Sequence, residues 1–492
     1  MFKNQFLLCD QHSQCEAEPS TTWEDFSIYV DTTDNISFSK NTISVLLIGK
    51  IVDYRSIDHT RQDIANTLAS YTNLQDVIAH TDHCTGRYVL FCAVNGGIYA
   101  LTDACALKRL LFGRIGGVRI MTSSECVYYS LFLDKARLNS ETQSLLEDQV
   151  YQKKESPWFG LQSVDSRFHF LLPNHILDVA KLQPQRISIP KIHQQTNLQK
   201  VQEAAYILQQ TFATLVDKYP LIQPLTAGWD SRCLFSASLG WKDRIKYYIF
   251  SYSNYKEEIT PDIVLPKILS KDYGITFSTI TPKPTSSEFL DALKKQVLPT
   301  RHLPKTDNIY HHFLHTNKKA ININGNGAEI FRCYYGRPLF NSTISPLSLA
   351  YLTGVAHWKL LVNGIEAWYK ISKGYAKENH ITITDLFYWE QRMALWGSLY
   401  PLEQDIAIDE ISPFNNRYMI SLLCSVPVHW RTGPTYKVAR EIVRALEPGL
   451  LTYPVNSIHA TNFISKQNIK NRITAILEFR IIIGLLRHIM RR

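Results

Sequence analysis

Residues 225–232 read Leu225-Thr226-Ala227-Gly228-Trp229-Asp230-Ser231-Arg232 and lie between an apolar segment and a helix-like one. Small residues in such a strand–loop–helix turn let backbone N–H groups approach a phosphate, and the helix N-terminus adds about half a positive charge. Thr226 and Ser231 offer hydroxyl donors, while Asp230 offers a carboxylate that caps the helix or binds Mg²⁺. The stretch predicts a phosphate-binding loop, with an ordinary turn before a capped helix as the alternative.

Strands and helices alternate around this loop. The strand-like runs are Ile222–Leu225, Ile245–Phe250 and Phe277–Ile280, and the helix-like ones are Val201–Tyr219, Cys233–Leu239 and Asp262–Tyr273. Such alternation predicts a parallel sheet with crossover helices. From about residue 345 onward, aromatic-rich helical segments dominate.

The first third of the chain has the short strands and turns of an α+β domain. Arg87–Val94 and Ile98–Leu101 flank Asn95-Gly96-Gly97, which predicts a hairpin. Arg61–Ala79 has helical spacing. Lys181–Asn197 contains two prolines and little apolar periodicity, so it is the predicted linker. Further strands are predicted at Ser44–Ile48 and Val118–Met121.

Two motifs resemble known nucleotide loops. Thr226-Ala227-Gly228-Trp229-Asp230-Ser231 resembles the Ser-Gly-Gly-x-Asp-Ser pyrophosphate loop of the N-type ATP pyrophosphatases, departing from it at the first two positions. Ile323-Asn324-Gly325-Asn326-Gly327-Ala328-Glu329 is similar to the Gly-Asp/Glu-Gly-Ala/Ser-Asp loop of the asparagine synthetase superfamily, with Asn326 in place of an acid. Asp262 fits that family's acidic residue after the second strand, although helix capping explains it equally well.

The resemblance implies ATP and Mg²⁺ as cofactors. Glu329 and Asp230 would bind the metal; a plain glycine turn is the alternative for the second motif. The pyrophosphate contacts implied by the resemblance are Thr226, Ala227, Gly228, Asp230, Ser231, Gly325 and Gly327.

Four C-terminal features bear on the chemical step. Glu390, in Tyr388-Trp389-Glu390-Gln391-Arg392, is the candidate general base, with a structural role as the alternative. Lys437 resembles the lysine of the family's Lys-x-x-x-Arg helix and is a candidate phosphate contact, or else a solvated lysine. Ser412–Arg417 resembles a Pro-Phe-Leu-Asp segment. The family's downstream lysine has no counterpart in 451–456.

The front of the chain resembles a glutaminase domain without its nucleophile. That family uses an N-terminal cysteine as nucleophile, whereas Met1 is followed here by Phe2 and Lys3. Landmarks resembling those of the domain remain around Gly86, Asp103 and Glu125. We therefore expect an Ntn-hydrolase-like sandwich without glutaminase activity.

The expected architecture has three parts. Residues 1–185 form the α+β glutaminase-like domain, 199–465 an α/β sheet of the adenine-nucleotide α-hydrolase type with a helical C-terminal part, and 466–492 a basic tail. Of the net charge of +9, six charges lie in that tail, so the nearly neutral body argues against nucleic acid as a partner. The tail has an amphipathic pattern that suits an anionic membrane surface, or docking on the protein.

Nine scattered cysteines without a Cys-x-x-Cys pair indicate reduced thiols, with neither a disulfide framework nor a zinc site. His311, His312 and His315 lack companion ligands and are interpreted as surface or core residues. The apolar run before Asp10 is too short for a signal peptide, and no run of 18 uncharged apolar residues occurs, so neither a signal peptide nor a membrane-spanning helix is expected. The sequence thus predicts a cytoplasmic protein whose tail is a candidate contact to the inner membrane face.

The main functional hypothesis is an AMP-forming carbon–nitrogen ligase of the asparagine synthase type, acting in surface-polysaccharide or peptide biosynthesis. It would adenylate a small carboxylate and transfer the acyl group to ammonia or an amine. The alternative is a degenerate nucleotide-binding scaffold of an envelope-polysaccharide pathway. An RNA-modifying ATP pyrophosphatase is less consistent, because cysteine pairs and a basic body are missing. Oligomeric state is not predicted.

Overall fold

The computed structural model describes residues 3–11, 15–31, 36–251, 259–297, 305–336, 344–457, 481–482 and 485. Its front part contains helices α1 (Arg61–Ser70), α2 (Leu74–Thr81), α3 (Glu125–Leu131), α4 (Ser140–Glu147) and α5 (Gln149–Gln152). The strands of this part are β1 (Phe6–Asp10), β2 (Thr21–Trp23), β3 (Phe26–Val30), β4 (Ile36–Lys40), β5 (Ser44–Asp53), β6 (Cys84–Val94), β7 (Gly97–Thr102), β8 (Leu111–Ile115), β9 (Val118–Thr122), β10 (His169–Phe170), β11 (His175–Asp178) and β12 (Gln183–Arg186).

Two six-stranded antiparallel sheets make up the front part, in the orders β10-β8-β9-β1-β3-β2 and β12-β11-β7-β6-β5-β4. Alternate residues of each strand face the other sheet, and Phe6, Phe91 and Met121 belong to the apolar cluster between them. Helices α1 and α2 cover the outer face of the second sheet, where Ile64 and Val77 pack on Leu90. The front part is therefore a two-sheet sandwich with helices outside.

Local signals explain several front elements. The predicted hairpin turns at Asn95-Gly96, both with positive φ. The predicted 61–79 helix is two helices, because Thr60 caps α1 and Asn73 caps α2. Gly86 has φ +150°, and a Cβ there would lie 2.2 Å from the carbonyl oxygen of Lys50, so only glycine allows β6 to pair closely with β5.

The predicted linker over 181–197 is wrong in part. Gln183–Arg186 forms β12, which pairs with β11 at the edge of its sheet. An edge strand tolerates Pro184 because its missing N–H faces away from the ladder. Residues after β12 lead to the long helix α6, whose N-terminus is fixed by a capping box at Thr196.

A five-stranded parallel sheet follows the sandwich. Its strands are β13 (Leu221–Pro224), β14 (Ile245–Phe250), β15 (Phe277–Ile280), β16 (Ile321–Ile323) and β17 (Asp409–Ile411), in the order β15-β14-β13-β16-β17. Its helices are α6 (Asn197–Lys218), α7 (Trp229–Ser238), a 3₁₀ helix (Leu239–Arg244), α8 (Pro261–Tyr273), α9 (Ser287–Lys294), α10 (Thr306–His315) and α11 (Ala328–Phe331). The predicted parallel sheet with crossover helices is confirmed.

The helical part predicted from residue 345 is also present. It contains α12 (Pro346–Thr353), α13 (Lys359–Glu378), α14 (Ile383–Phe387), a π-helix (Tyr388–Gly397), α15 (Leu399–Gln404), α16 (Arg417–Cys424), α17 (Val428–Arg431), α18 (Lys437–Leu446) and a 3₁₀ helix (Pro448–Thr452). Among the described residues, no helix has the combined length and hydropathy needed to cross a bilayer.

The segment before α16 joins the sandwich to the parallel sheet. Asn415 accepts the N–H of Cys105 at 2.8 Å and donates to Gly86 O and Asp103 Oδ1 at 2.6 and 2.8 Å. Arg417 forms an ion pair with Asp82 of the sandwich. The Pro-Phe-Leu-Asp-like segment thus packs the two parts together, and Gly86 and Asp103, both landmarks of the front resemblance, lie at this contact. The predicted domain limits at 185, 199 and 465 stay predictions.

Candidate functional site

Two loops meet at the carboxyl edge of the parallel sheet. The first loop, Leu225–Gly228, follows β13, and the second loop, Asn324–Gly327, follows β16. From β13 the chain moves one way to β14 and β15 and then returns to β16 on the other side, so these loops flank the switch point where ligands bind in open α/β sheets. A Cβ on Gly325 would lie only 3.3 Å from Asp230 Cβ, so the bare backbone lets the second loop approach α7 closely.

The first loop is held in shape by side chains from two helices. Thr226 N–H donates to Ser231 Oγ at 2.8 Å, and Ala227 N–H donates to Asp262 Oδ1 at 2.8 Å. Asp262 therefore contacts the loop, while its helix begins at Thr260 without a side-chain cap. The loop conformation depends on residues from α7 and α8, which agrees with a preformed binding loop.

The N-terminus of α7 faces this loop. Gly228 is the residue before the helix, and Arg232 N–H makes the first intrahelical bond, to Gly228 O at 3.1 Å. The amides of residues 229–231 precede that bond, so the helix supplies them no carbonyl partner and its positive end points at the loop. Together with the hydroxyls of Thr226 and Ser231, this is a set of donors suited to a phosphate.

The metal-binding pair predicted from the sequence is brought together. Asp230 on α7 and Glu329 on α11 interact with each other and with Arg332, whose Nη2 lies 2.7 Å from Asp230 Oδ2. Burial raises the pKa of Asp230 to about 7, against the opposing effect of Arg332, and burial also raises the pKa of Glu329. Two partly buried carboxylates therefore share the Arg332 guanidinium.

This pair fits a hard divalent cation. Glu329 Oε2 is buried and makes no hydrogen bond within the described chain. Carboxylate oxygens are the donors that Mg²⁺ prefers, and a second positive charge would relieve the burial cost that raises both pKa values. Asn326 adds no charge: its N–H bonds Asn324 Oδ1 at 3.0 Å and its carbonyl accepts from Ser412.

The π-helix contributes Tyr388 and Arg392 to the surroundings of Glu329. The Glu329 carboxylate and burial both raise the pKa of Tyr388, while Arg392 opposes the rise in the pKa of Glu329. Arg392 lies over the Trp396 ring at 4.0 Å. Sequence reasoning missed Arg332 and Arg392; the spacing of Arg332, three residues after Glu329 on a helix, is the signal that was available.

Glu390 lies in a different environment from that of its neighbour Tyr388. Its carboxylate is fully buried and is bound by Arg186 at 2.6 and 3.0 Å and by the Trp368 indole at 2.8 Å. Asn174 adds a further bond at 3.2 Å. This placement does not support the predicted catalytic role of Glu390, because residues of the sandwich and of α13 already hydrogen-bond to both of its carboxylate oxygens.

Lys437 is exposed at the first turn of α18, and its ammonium lies 3.6 Å from the centroid of the Trp430 ring. Arg440, on the same helix, stacks over Trp229 at 5.7 Å. This places α18 beside the start of α7, and a phosphate contact by Lys437 stays a prediction.

Segment 451–456, in which the family's downstream lysine has no counterpart, contacts the first loop. Arg232, which is 1% exposed, donates to the carbonyls of Leu450, Tyr453 and Pro454 at 3.1, 2.8 and 2.8 Å. This arrangement brings Asn456 N–H to Ala227 O at 3.0 Å. In the sequence, Asn456 drew attention only because its segment lacks the family's lysine. In the structure, the backbone N–H of Asn456 contacts the first loop.

The remaining predicted features lie elsewhere or outside the described residues. His312 is buried, hydrogen-bonds Tyr248 and Thr316, and has a pKa lowered to about 3 by burial, as expected for a core histidine. Of the tail 466–492, only Ile481, Ile482 and Leu485 are described; Ile481 packs against the main core. The tail's predicted membrane contact otherwise falls on residues outside the described part.

No protein-family model and no curated protein matches this sequence. Among solved structures, the chain is similar to an allosteric regulatory enzyme of purine biosynthesis, with 12% identity and a TM-score of 0.24 over 46% of this chain and 55% of that one. The chain thus spans about half the length of that enzyme.

Two further solved structures are similar. One is glutamine phosphoribosylpyrophosphate amidotransferase from B. subtilis, complexed with ADP and GMP, at 9% identity and a TM-score of 0.23 over 67% of this chain and 71% of that one. The other is glutamine-dependent NAD⁺ synthetase from Acinetobacter baumannii, in complex with ADP, at 9% identity and a TM-score of 0.20 over 64% of this chain and 76% of that one. Similarity at this level supports no conclusion about activity.

Proposed function

We propose that this protein is an ATP-dependent ligase of the asparagine synthase type, which adenylates a carboxylate and transfers the acyl group to ammonia or an amine. One observation carries the proposal: Asp230 and Glu329, on the helices that follow the two loops of the switch point, both interact with Arg332 beside the N-terminus of α7. The proposal includes an adenine-nucleotide α-hydrolase-like fold for the parallel sheet and an Ntn-hydrolase-like fold for the sandwich.

The first half-reaction would use the phosphate-binding donors of the first loop. A substrate carboxylate oxygen attacks the α-phosphorus of ATP, the bond to the β-phosphate oxygen breaks, and pyrophosphate leaves. The hydroxyls of Thr226 and Ser231 and the first amides of α7 would bind the pyrophosphate. Arg332 and Arg392 would place further positive charge beside the leaving group.

Mg²⁺, held by Asp230 and Glu329, would offset negative charge on the β- and γ-phosphates. Arg332 already occupies one oxygen of Asp230, so the cation would be shared between Glu329 Oε2 and the remaining carboxylate oxygen of Asp230. In the second half-reaction the amine nitrogen attacks the acyl carbon, AMP leaves, and the amine proton passes to solvent.

The nitrogen donor in this proposal is not glutamine hydrolysed by the front sandwich. All nine cysteines lie in the described residues, and eight of them are buried. Burial raises the pKa of the thiols of Cys84, Cys105 and Cys126, which keeps them protonated and poorly nucleophilic.

The test is a turnover assay with a panel of carboxylates and amines. Purified full-length protein with ATP and MgCl₂ should release AMP and pyrophosphate in equal amounts, only when a suitable carboxylate is present. ADP and phosphate as products, or no binding of ATP, would contradict the proposal. ATP binding without turnover for every carboxylate tried would instead support the nucleotide-binding scaffold.

A further inference from the structure

A second group of metal-ligand side chains lies in the front sandwich, away from the nucleotide loops. It consists of Asp53, the last residue of β5, His80 near the end of α2, and Cys84, the first residue of β6. Asp53 and Cys84 are directly paired across the two strands. One donor atom from each of the three residues lies within 4.8 Å of the other two.

The three side chains are enclosed by protein. Asp53 is 2% and Cys84 1% exposed, and the side chain of His80 is 11% exposed. His80 Nε2 lies 3.2 Å from Asp53 Oδ2, its hydrogen-bond partner. The imidazole nitrogen therefore points at the carboxylate, beside the Cys84 thiol.

Neighbouring groups fix the orientation of two of these side chains. Tyr71 OH hydrogen-bonds His80 Nδ1 at 2.9 Å, which directs Nε2 to the cluster. Arg55 holds the Asp53 carboxylate by bonds from Nε and Nη2 at 3.0 and 2.8 Å, and its backbone N–H adds a third at 2.9 Å. Metal-binding histidines and carboxylates are commonly positioned by such outer contacts.

The donor set and spacing select the class of metal. Thiolate, imidazole and carboxylate together suit Zn²⁺, whose bonds of about 2.0–2.3 Å place tetrahedral donors about 3.3–3.8 Å apart. The Nε2–Oδ2 distance of 3.2 Å is close to that spacing. The positive charge of Arg55 faces Asp53. Together, the Asp53 carboxylate and a Cys84 thiolate would balance the added charge of the ion.

We propose that the Asp53 carboxylate, His80 Nε2 and Cys84 Sγ bind one zinc ion, with water in the fourth position. On binding, the S–H bond of Cys84 breaks, the sulfur bonds the metal and the proton goes to solvent. The ion would tie α2 to the paired ends of β5 and β6. The adjoining residues Asp82 and Thr85 contact Arg417 and Asn416 of the second part, so the ion would also stiffen that contact.

The experiment measures metal on the purified full chain. Metal analysis after growth with zinc should give about one zinc per chain. Titration of the metal-stripped protein with Co²⁺ should produce the thiolate-to-cobalt charge-transfer band and the visible bands of a tetrahedral ion. Neither signal depends on the ligase activity proposed above or on its Mg²⁺ site.

Variants assign the signals to this cluster. The charge-transfer band should vanish in Cys84→Ser and persist in Cys92→Ser, which removes another buried thiol of the same strand. Tyr71→Phe, which removes only the contact to His80 Nδ1, should weaken Co²⁺ affinity about 10- to 100-fold. Absence of bound zinc and of the cobalt band in the wild type would overturn the proposal.

Two other outcomes would also overturn it: a charge-transfer band retained in Cys84→Ser, or unchanged Co²⁺ affinity in Tyr71→Phe. If Cys84→Ser fails to fold, His80→Gln takes its place, and an unchanged affinity in that variant counts against the site.

Discussion

Arg332 Nη2 donates a hydrogen bond of 2.7 Å to Asp230 Oδ2, joining the helix after the second loop to the helix after the first. Glu329 lies one helical turn before Arg332 and interacts with the same guanidinium. Arg332 therefore faces two partly buried carboxylates, and Arg392 adds a second positive charge near Glu329.

Removal of the Asp230 carboxylate should abolish the proposed first half-reaction. We expect Asp230→Asn to lower carboxylate-dependent pyrophosphate release at least about 100-fold, because the variant loses one of the two carboxylates proposed to hold Mg²⁺. Asp217→Asn is the matched control, since Asp217 forms an exposed pair with Arg244. Equal rates for Asp230→Asn and the wild type, measured with a coupled pyrophosphate assay, would refute the role.

The same residue predicts a pH dependence of stability. Asp230 has its pKa raised by burial from 3.8 to about 7, so the folded protein favours the protonated form. The contribution of Asp230 to the free energy of unfolding is complete below about pH 4 and is lost as the pH rises towards 7. Wild type should therefore lose free energy of unfolding relative to Asp230→Asn over this range, in the absence of Mg²⁺.

Denaturant unfolding of both proteins from pH 5 to 8 measures this difference. Glu410, whose pKa is also raised to about 7 by burial, is common to both proteins and cancels. Added Mg²⁺ should restore the wild type more than the variant at pH 8. A wild-type-minus-variant difference that stays constant with pH would contradict the assignment.

Local pattern was sufficient for much of the fold and for the meeting of the two loops. Strand and helix periodicity between Ile222 and Ile280 is a property of neighbouring residues, and a parallel sheet brings its strands' carboxyl ends to one edge. Asp230 and Glu329, about 100 residues apart, lie together in the structure, and their predicted binding of Mg²⁺ stays a prediction.

Contacts between residues far apart in the sequence could not be predicted from the local pattern. Glu390 was assigned chemistry because aromatic and charged neighbours surround it in sequence. Its partner Arg186 lies 204 residues away and is the last residue of β12, in the segment that was interpreted as linker. The bond of Arg232 to Leu450 spans 218 residues. Such contacts follow from packing of the whole chain, which no short window of sequence contains.

The second loop requires a glycine at position 327. Gly327 has φ +97°, and a Cβ there would meet Cys105 Sγ and Phe414 Cβ only at 3.6 Å, so the cost of Gly327→Ala is backbone strain of about 1–3 kcal/mol. We expect lower affinity for ATP, measured by calorimetry. Gly96→Ala is the control, since Gly96 has φ +74° in an open hairpin turn; it should lose stability without losing ATP affinity, and equal effects would argue against the loop's role.

The front sandwich should not supply nitrogen from glutamine. Eight of the nine cysteines are buried, and burial raises the pKa of thiols such as Cys105 and Cys126. Incubation with glutamine should release no glutamate above the buffer blank, with or without ATP. Glutamate release that is sensitive to a thiol-alkylating reagent would show that a reactive cysteine exists after all.

Arg232 should link the end of the described body to ATP binding. Its guanidinium donates to three carbonyls at Leu450, Tyr453 and Pro454 from a site that is 1% exposed. Arg232→Met leaves those buried acceptors unpaired, which should cost about 3 kcal/mol of unfolding free energy. Since the same segment carries the Asn456 amide that bonds Ala227 O, the first loop should also loosen and ATP affinity should fall.

Asn456→Val separates these two effects, because the exposed Asn456 has φ +55°. A β-branched residue rarely adopts this φ, so the backbone that carries the N–H to the loop must shift. We expect this variant to keep most of the stability of the wild type while its ATP affinity falls, as measured by unfolding and by calorimetry. Arg244→Met, a change in an exposed ion pair, should alter neither quantity appreciably. An unchanged ATP affinity in both Arg232→Met and Asn456→Val would mean that the first loop keeps its conformation without segment 450–456, and that the α7 and α8 contacts from Ser231 and Asp262 suffice to form it.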